Sequence, residues 1–125
     1  MSNTLSKHAL ASLPTAAAHL RLSPRTLRRY VQRGRLRPVM IGGRPAFPWT
    51  EIWRLLDLHP PRGREAAFRL PLMTAEEVAA LCGGGISAAH VKTLARRGEL
   101  PGRRLAKGWV FIPAEIDAWL FSRGA

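Results

Sequence analysis

Two stretches of the chain carry the same pattern of apolar and polar positions. In SPRTLRRYVQRGRL, residues 23–36, Leu27, Tyr30 and Val31 recur at helical spacing and fall on one side of a helix. Arg25, Arg29 and Gln32 fall opposite, with Arg28 and Arg33 on the flanks. SAAHVKTLARRGEL, residues 87–100, keeps the spacing 64 residues later. At that lag, positions 23–56 align with 87–120 without a gap, and eight of the 34 pairs are identical. Ser23, Arg33, Gly34, Leu36, Phe47, Glu51, Ile52 and Leu56 meet Ser87, Arg97, Gly98, Leu100, Phe111, Glu115, Ile116 and Leu120, while Leu27 meets Val91. So many identities at one fixed lag mark an internal duplication.

Each copy predicts the same order of elements. Thr15 is read as the cap of a first helix, AAAHLRL, and Thr74 as the cap of AEEVAALC, where Glu77 completes a capping box. Thr15 and Thr74 are 59 residues apart, so the second copy is expected to carry five extra residues around CGGGI. Ser23 or Ser87 opens a second helix, Pro24 suits the first helical position, and Gly34 or Gly98 stops it. Two helices joined by a turn make a helix-turn-helix. Basic, β-leaning segments follow: RPVMIGGRPAF turns at Gly42-Gly43 and GRRLAKGWVF at Lys107-Gly108, which predicts two hairpin wings. PWTEIWRLLD and PAEIDAWLFS, the latter started by Pro113, predict a closing helix in each copy. HPPRGREAAFRLP breaks the apolar periodicity and reads as a connection. The expected fold is therefore mainly α with small β-hairpin wings. It comprises two tandem winged helix-turn-helix domains, 8–57 and 70–123, with a linker at 58–69.

Charge adds the partner. The 125 residues hold 20 Lys and Arg against 8 Asp and Glu, a net charge of +12, so an acidic polymer is expected, with nucleic acid first. Residues 1–57 carry ten of those cations and two of the acids, residues 58–69 three and one, and residues 70–125 seven and five. The first copy should supply most of the backbone grip, and the second added specificity, footprint or a protein contact. One cysteine, Cys82, excludes an internal disulfide, and MSNTLSKHAL lacks the apolar core of a secretory signal. No apolar run approaches the roughly 20 residues of a membrane span. A cytoplasmic, nucleoid-associated protein of bacterial or phage origin is expected. Membrane-surface binding or a protein-adaptor role is the alternative from another class. The membrane reading is the weaker because the charge lies on capped, core-forming helices.

The outward arginines of residues 23–33 suit a major groove, where guanidinium forks grip guanine or phosphate, and Ser23 with the first helical N–H groups suits a phosphate. The equivalent face of the second copy carries Ala89, Thr93 and Arg96, flanked by His90, Lys92 and Arg97, and is smaller and less charged. Arg37, Arg103 and Arg104 lie in the basic segments leading into the hairpins. Arg33 and Arg97 serve either a phosphate or the negative end of their own helix. Trp49, Trp53, Trp109 and Trp119 have apolar neighbours that favour core packing over base stacking, and Cys82 has no resolving cysteine. His8, His19, His59 and His90 show no metal-ligand spacing. Glu51, Asp57, Glu65, Glu76, Glu77, Glu99, Glu115 and Asp117 scatter, and neither GGRP nor CGGG has the lysine of a phosphate-binding loop. No catalysis, cofactor, metal or small-molecule effector is expected.

Residues 13–56, above all SPRTLRRY followed by RGRL, resemble the DNA-binding domain of the MerR family. Residues 72–120, with TAEEVAAL, RRGELP and IPAEIDAWL, resemble the excisionase-type winged helix-turn-helix. The resemblance implies double-stranded DNA as partner, with Arg25, Thr26, Arg28 and Arg29 at groove-facing and phosphate-contacting positions. It also implies that Arg44 and Lys107 lie on wings near the backbone or minor groove. A MerR regulator would continue into a dimerisation helix and an effector domain, which this sequence does not hold. Implied roles are a small transcriptional regulator, working with RNA polymerase, and a recombination directionality factor, working with a site-specific recombinase and self-associating on DNA. A phage packaging or replication-origin subunit is the alternative on the same fold.

Overall fold

Hydroxyl side chains start four of the helices. The Ser12 hydroxyl accepts from the Thr15 N–H at 3.3 Å, Ser23 from Thr26 at 3.1 Å, Thr74 from Glu77 at 3.1 Å and Ser87 from His90 at 3.1 Å, each satisfying a donor that the first turn leaves open. This computed structural model describes residues 9–105 and 108–124, and the chain divides after Glu65 into two units. The first contains β1 (Leu10–Ser12), α1 (Leu13–Leu20), α2 (Pro24–Gln32), β2 (Val39–Ile41), β3 (Arg44–Pro48) and α3 (Trp49–Leu55). The second contains α4 (Ala75–Leu81), α5 (Ala88–Arg96), β4 (Arg103–Leu105), β5 (Gly108–Val110) and α6 (Pro113–Gly124). Within residues 58–69, Leu58 is buried with its N–H on the Trp53 carbonyl at 2.9 Å, and Glu65–Arg69 form a 3-10 turn.

The fold is mainly α with small antiparallel hairpins, as the repeat pattern predicts. In the first unit the strands run in the order β1-β3-β2, with Ala11 opposite Phe47 and Ile41 opposite Arg44. Gly42 and Gly43 turn the hairpin at φ +57 and +79, a pair of left-handed residues that favours glycine. In the second unit β4 pairs with β5, and Met73 bridges Phe111 through two backbone bonds of 2.7 and 2.9 Å. That bridge stands where β1 meets β3 in the first unit. Gly108, expected in the second hairpin's turn, pairs with Leu105 in β5. Lys107 itself lies outside the described residues, as does His8, the expected first residue of the leading domain.

Matched apolar positions of the repeat form the centre of the two cores. Leu27, Leu36, Phe47 and Ile52 are fully buried, and so are their counterparts Val91, Leu100, Phe111 and Ile116. Each such side chain contributes roughly 1.5–3 kcal/mol of burial. After α2 and α5, Gly34 at φ +73 and Gly98 at φ +76 reverse the chain, and the following N–H groups of Arg35 and Glu99 return to the Tyr30 and Leu94 carbonyls at 2.9 Å.

One expected cap is corrected. Thr15 does not start the first helix; Ser12 does, with Pro14 in the first turn and Thr15 three residues in, its Oγ1 accepting from Ser12 Oγ at 3.0 Å. Proline within a first turn removes only a donor that has no partner there, so it does not mark the boundary. SLPT at 12–15 thus repeats the geometry of SPRT at 23–26, where Ser23 Oγ donates to Thr26 Oγ1 at 3.0 Å. Ser12 and Thr74 are 62 residues apart and Ser23 and Ser87 are 64 apart, so the second copy carries two extra residues, not five. Its turn accommodates them through Gly83 and Gly84, both at positive φ.

Candidate nucleic-acid interface

Helix α2 separates its two faces cleanly. Leu27 and Tyr30 are buried and Val31 half-buried, while Arg25, Arg28, Arg29, Gln32 and Arg33 are exposed. Arg25 and Arg29 lie one turn apart, as do Arg28 and Gln32, so their side chains share one surface. Arg25, Arg28 and Arg29 make no ion pair with a described residue. The Ser23 hydroxyl and the half-buried Thr26 hydroxyl are tied to each other in the cap, so they hold the start of the helix in place. Arg37 and Arg44, before and within the wing, are exposed as well.

Glu51 organises the ground beneath this surface. Its Oε1 accepts the Arg37 N–H at 2.9 Å, its Oε2 accepts Arg54 Nε at 3.0 Å, and Arg54 also donates to the Arg35 carbonyl at 3.1 Å. The hydrogen bond from Arg54, then that from the Arg37 backbone, holds the Glu51 carboxyl below its ordinary range against a burial that raises it. The same pairing raises Arg54. A carboxylate thereby pins the segment from Arg35 to Arg37 to α3 without neutralising the arginines of α2. Arg35, which sequence reasoning left unassigned, lies with its guanidinium 4.4 Å from the Tyr30 ring centroid.

The second unit presents a weaker version. On α5, Ala89, His90, Lys92 and Arg96 are exposed, while Thr93 is half-buried with its hydroxyl on the Ala89 carbonyl at 3.1 Å. Arg97 is only 3.8 Å from Glu99, an exposed pair. On the wing, Arg104 is exposed with its guanidinium 5.6 Å from the Trp109 ring centroid. Arg103 differs from the other candidates: its guanidinium holds Glu115 through bonds of 3.1 and 2.9 Å and is partly buried. It belongs to the fold's own bracing rather than to the open basic surface.

Trp49 and Trp53 are buried in the first unit, and Trp109 and Trp119 pack against the second unit's core, with Trp119 Nε1 on the Glu99 carbonyl at 3.0 Å. Cys82 caps the end of α4. Among the described residues no group of three or more His, Cys, Asp or Glu is placed to hold a metal ion, and no helix is long and apolar enough to cross a membrane. What the apolar pattern did not signal is that Val39, Met40 and Ile41 of β2 are all exposed. A continuous apolar run reads as a buried strand, and its exposure emerges only from the packing.

A protein-family model described as a helix-turn-helix domain matches residues 12–55 and again 72–123. One model covers both copies, so the match does not divide a MerR-type first half from an excisionase-type second half. No curated protein and no solved structure matches the chain significantly.

Proposed function

The chain belongs to the helix-turn-helix domain family, a class of DNA-binding module, and from that premise we propose that it binds duplex DNA sequence-specifically as a covalent pseudo-dimer. Domain 1 spans 8–57 and domain 2 spans 70–123. The observation that carries this reading is α2, whose exposed Arg25, Arg28, Arg29 and Gln32 stand opposite the buried Leu27 and Tyr30. Arg25, Arg28 and Arg29 contact base edges and phosphates in a major groove, with Arg37 and Arg44 on the adjoining backbone. Ala89, His90, Lys92 and Arg96 read a second, different half-site, with Arg104 beside it. Joining both units on one chain raises the effective concentration of the second contact, so two modest modules bind tightly together.

The role that fits best is a small excisionase-like directionality factor or a transcriptional regulator of a bacterial or phage mobile element. Selection of genomic fragments by the purified protein, then footprinting at moderate and high salt, tests both levels. A footprint of about two helical turns that keeps its sequence preference as salt rises supports the pseudo-dimer. Its position beside an attachment site favours the directionality role, and a promoter the regulator. Indiscriminate coverage that vanishes with salt would overturn sequence-specific recognition.

A further inference from the structure

The small sheet of the first unit leaves one of its faces bare. Cross-strand neighbours share a face and successive residues of a strand alternate, so the register sorts every side chain. Ala11 and Phe47 lie opposite each other, are buried, and mark the side turned to the core. The other side therefore carries Leu10, Pro48, Ala46, Val39, Ile41 and Arg44. Leu10 stands opposite Pro48 and Val39 opposite Ala46, with Ile41 two residues along from Val39. The five apolar members thus form one unbroken band across three strands. Leu10 is 37% exposed, Val39 43% and Ile41 54%, with Ala46 and Pro48 half-buried on the central strand between them.

The second unit is an internal control. Leu72, Ile112, Val110 and Leu105 hold the positions of Leu10, Pro48, Ala46 and Ile41, and all four are at most 8% exposed. The position of Val39 carries Arg103, which holds Glu115. One face of the duplicated sheet is covered and its twin is not. A contiguous apolar patch on a protein surface marks contact with another macromolecule. Arg44 stands at the end of the band beside Ile41. Residues 1–57 hold only two acids, and Glu51 is already engaged by Arg54 and the Arg37 N–H. A second copy would therefore set like charge against like. DNA supplies acid without a broad apolar face, and the tryptophans that would anchor a lipid surface are packed in or against the cores. The complement is a protein segment with one apolar and one acidic side. As a strand it would find few bonds at β2, which is short and follows Pro38, whereas a helix can lie across all three strands.

We propose that this band is the docking surface for an acidic amphipathic helix of another protein, whose apolar side covers Leu10, Val39 and Ile41 and whose carboxylates meet Arg44. The inference goes beyond DNA binding and does not depend on it. Helical peptides displayed on phage, randomised among charged and apolar residues, are selected against the full chain. The peptides recovered are expected to carry apolar residues at i, i+3, i+4 and i+7 with Asp and Glu elsewhere. Synthesised and dye-labelled, they should bind Val39→Ser with Ile41→Ser about tenfold more weakly than the wild type, read by fluorescence anisotropy. Leu10→Ser, at the other end of the band and on another strand, should weaken them several-fold, with thermal unfolding of both variants close to that of the wild type. Ile41→Lys separates packing from charge: attraction by net charge alone predicts tighter binding, and the band predicts weaker. Binding that is tighter or unchanged in Ile41→Lys, or selected peptides without an acidic and an apolar side, would overturn the proposal. So would a double variant that keeps the peptides but loses the best genomic duplex or phosphatidylglycerol vesicles, which would give the band to DNA or to lipid. A wild type that sediments as a dimer and becomes monomeric in the double variant would overturn it too, giving the band to a second copy. Failure of the wild type to bind any DNA fragment removes the DNA reading alone, because the peptide measurements contain no DNA.

Discussion

Glu51 and Glu115 occupy the same position of the repeat, yet each braces its unit through different partners. Glu51 takes the Arg37 N–H and the Arg54 side chain. The second copy has Pro101 at the position of Arg37, which has no N–H to give, and the Glu115 carboxylate accepts instead from the Arg103 guanidinium. One cation of the second wing is thus drawn into the structure, while the first wing keeps Arg37 and Arg44 outward. Glu99 at the position of Arg35 moves the balance the same way. The comparison teaches how a duplicated scaffold diverges: the core stays fixed, and a few substitutions decide how much charge reaches the surface.

The largest effects are expected where the two copies agree. Phe47→Ala and Phe111→Ala should each cost about 3–5 kcal/mol in denaturant unfolding of their own unit, and a loss confined to one position would show that the copies do not rely on equivalent cores. Next comes the part that differs. Arg25→Ala or Arg29→Ala should weaken specific DNA binding by about 1–3 kcal/mol, more than Lys92→Ala or Thr93→Ala, and should flatten the salt dependence. Equal losses from the two helices in a titration would remove the dominance of the first copy. Within the second wing, Arg103→Ala should lower stability by about 1 kcal/mol and leave DNA affinity unchanged, whereas Arg104→Ala should do the reverse. At the first cap, Ser12→Ala should cost about 1 kcal/mol, comparable with Thr74→Ala, if the two are equivalent.

The smallest expected effect is that of pH. The Glu51 carboxyl titrates lower in the folded chain than its ordinary value of 4.5, so the stability it adds is complete above that value and is lost as pH falls through the folded one. Glu51→Gln should therefore flatten the acid side of the first unit's stability curve, measured by unfolding between about pH 3 and 6. An unchanged curve would mean that the contacts of Glu51 carry no net stability.

Much of this was legible in the sequence because helix starts, helix stops and the helical period are local. Ser23, Gly34, Thr74 with Glu77, Ser87 and Gly98 act within a few residues of themselves, and the buried side of α2 follows from spacing alone. Ser12 escaped because Pro14 resembles a boundary in sequence, although in a first turn it fits. β1 escaped for a different reason: three residues have no period to read, and Leu10–Ser12 become a strand only because β3, far along the chain, pairs with them.

The sequence by itself determined the duplication, the order of helices and hairpins, the two cores and the basic face of α2, since each rests on residues that act through neighbours or through a repeated pattern. Tertiary structure alone decided which charges and apolar groups remain outside. Arg103 turns inward because Glu115 meets it from a helix that begins ten residues later, and Ile41 stays exposed although Leu105, at the same position of the second copy, is buried. Exposure is a property of what else has packed, and no local pattern records it.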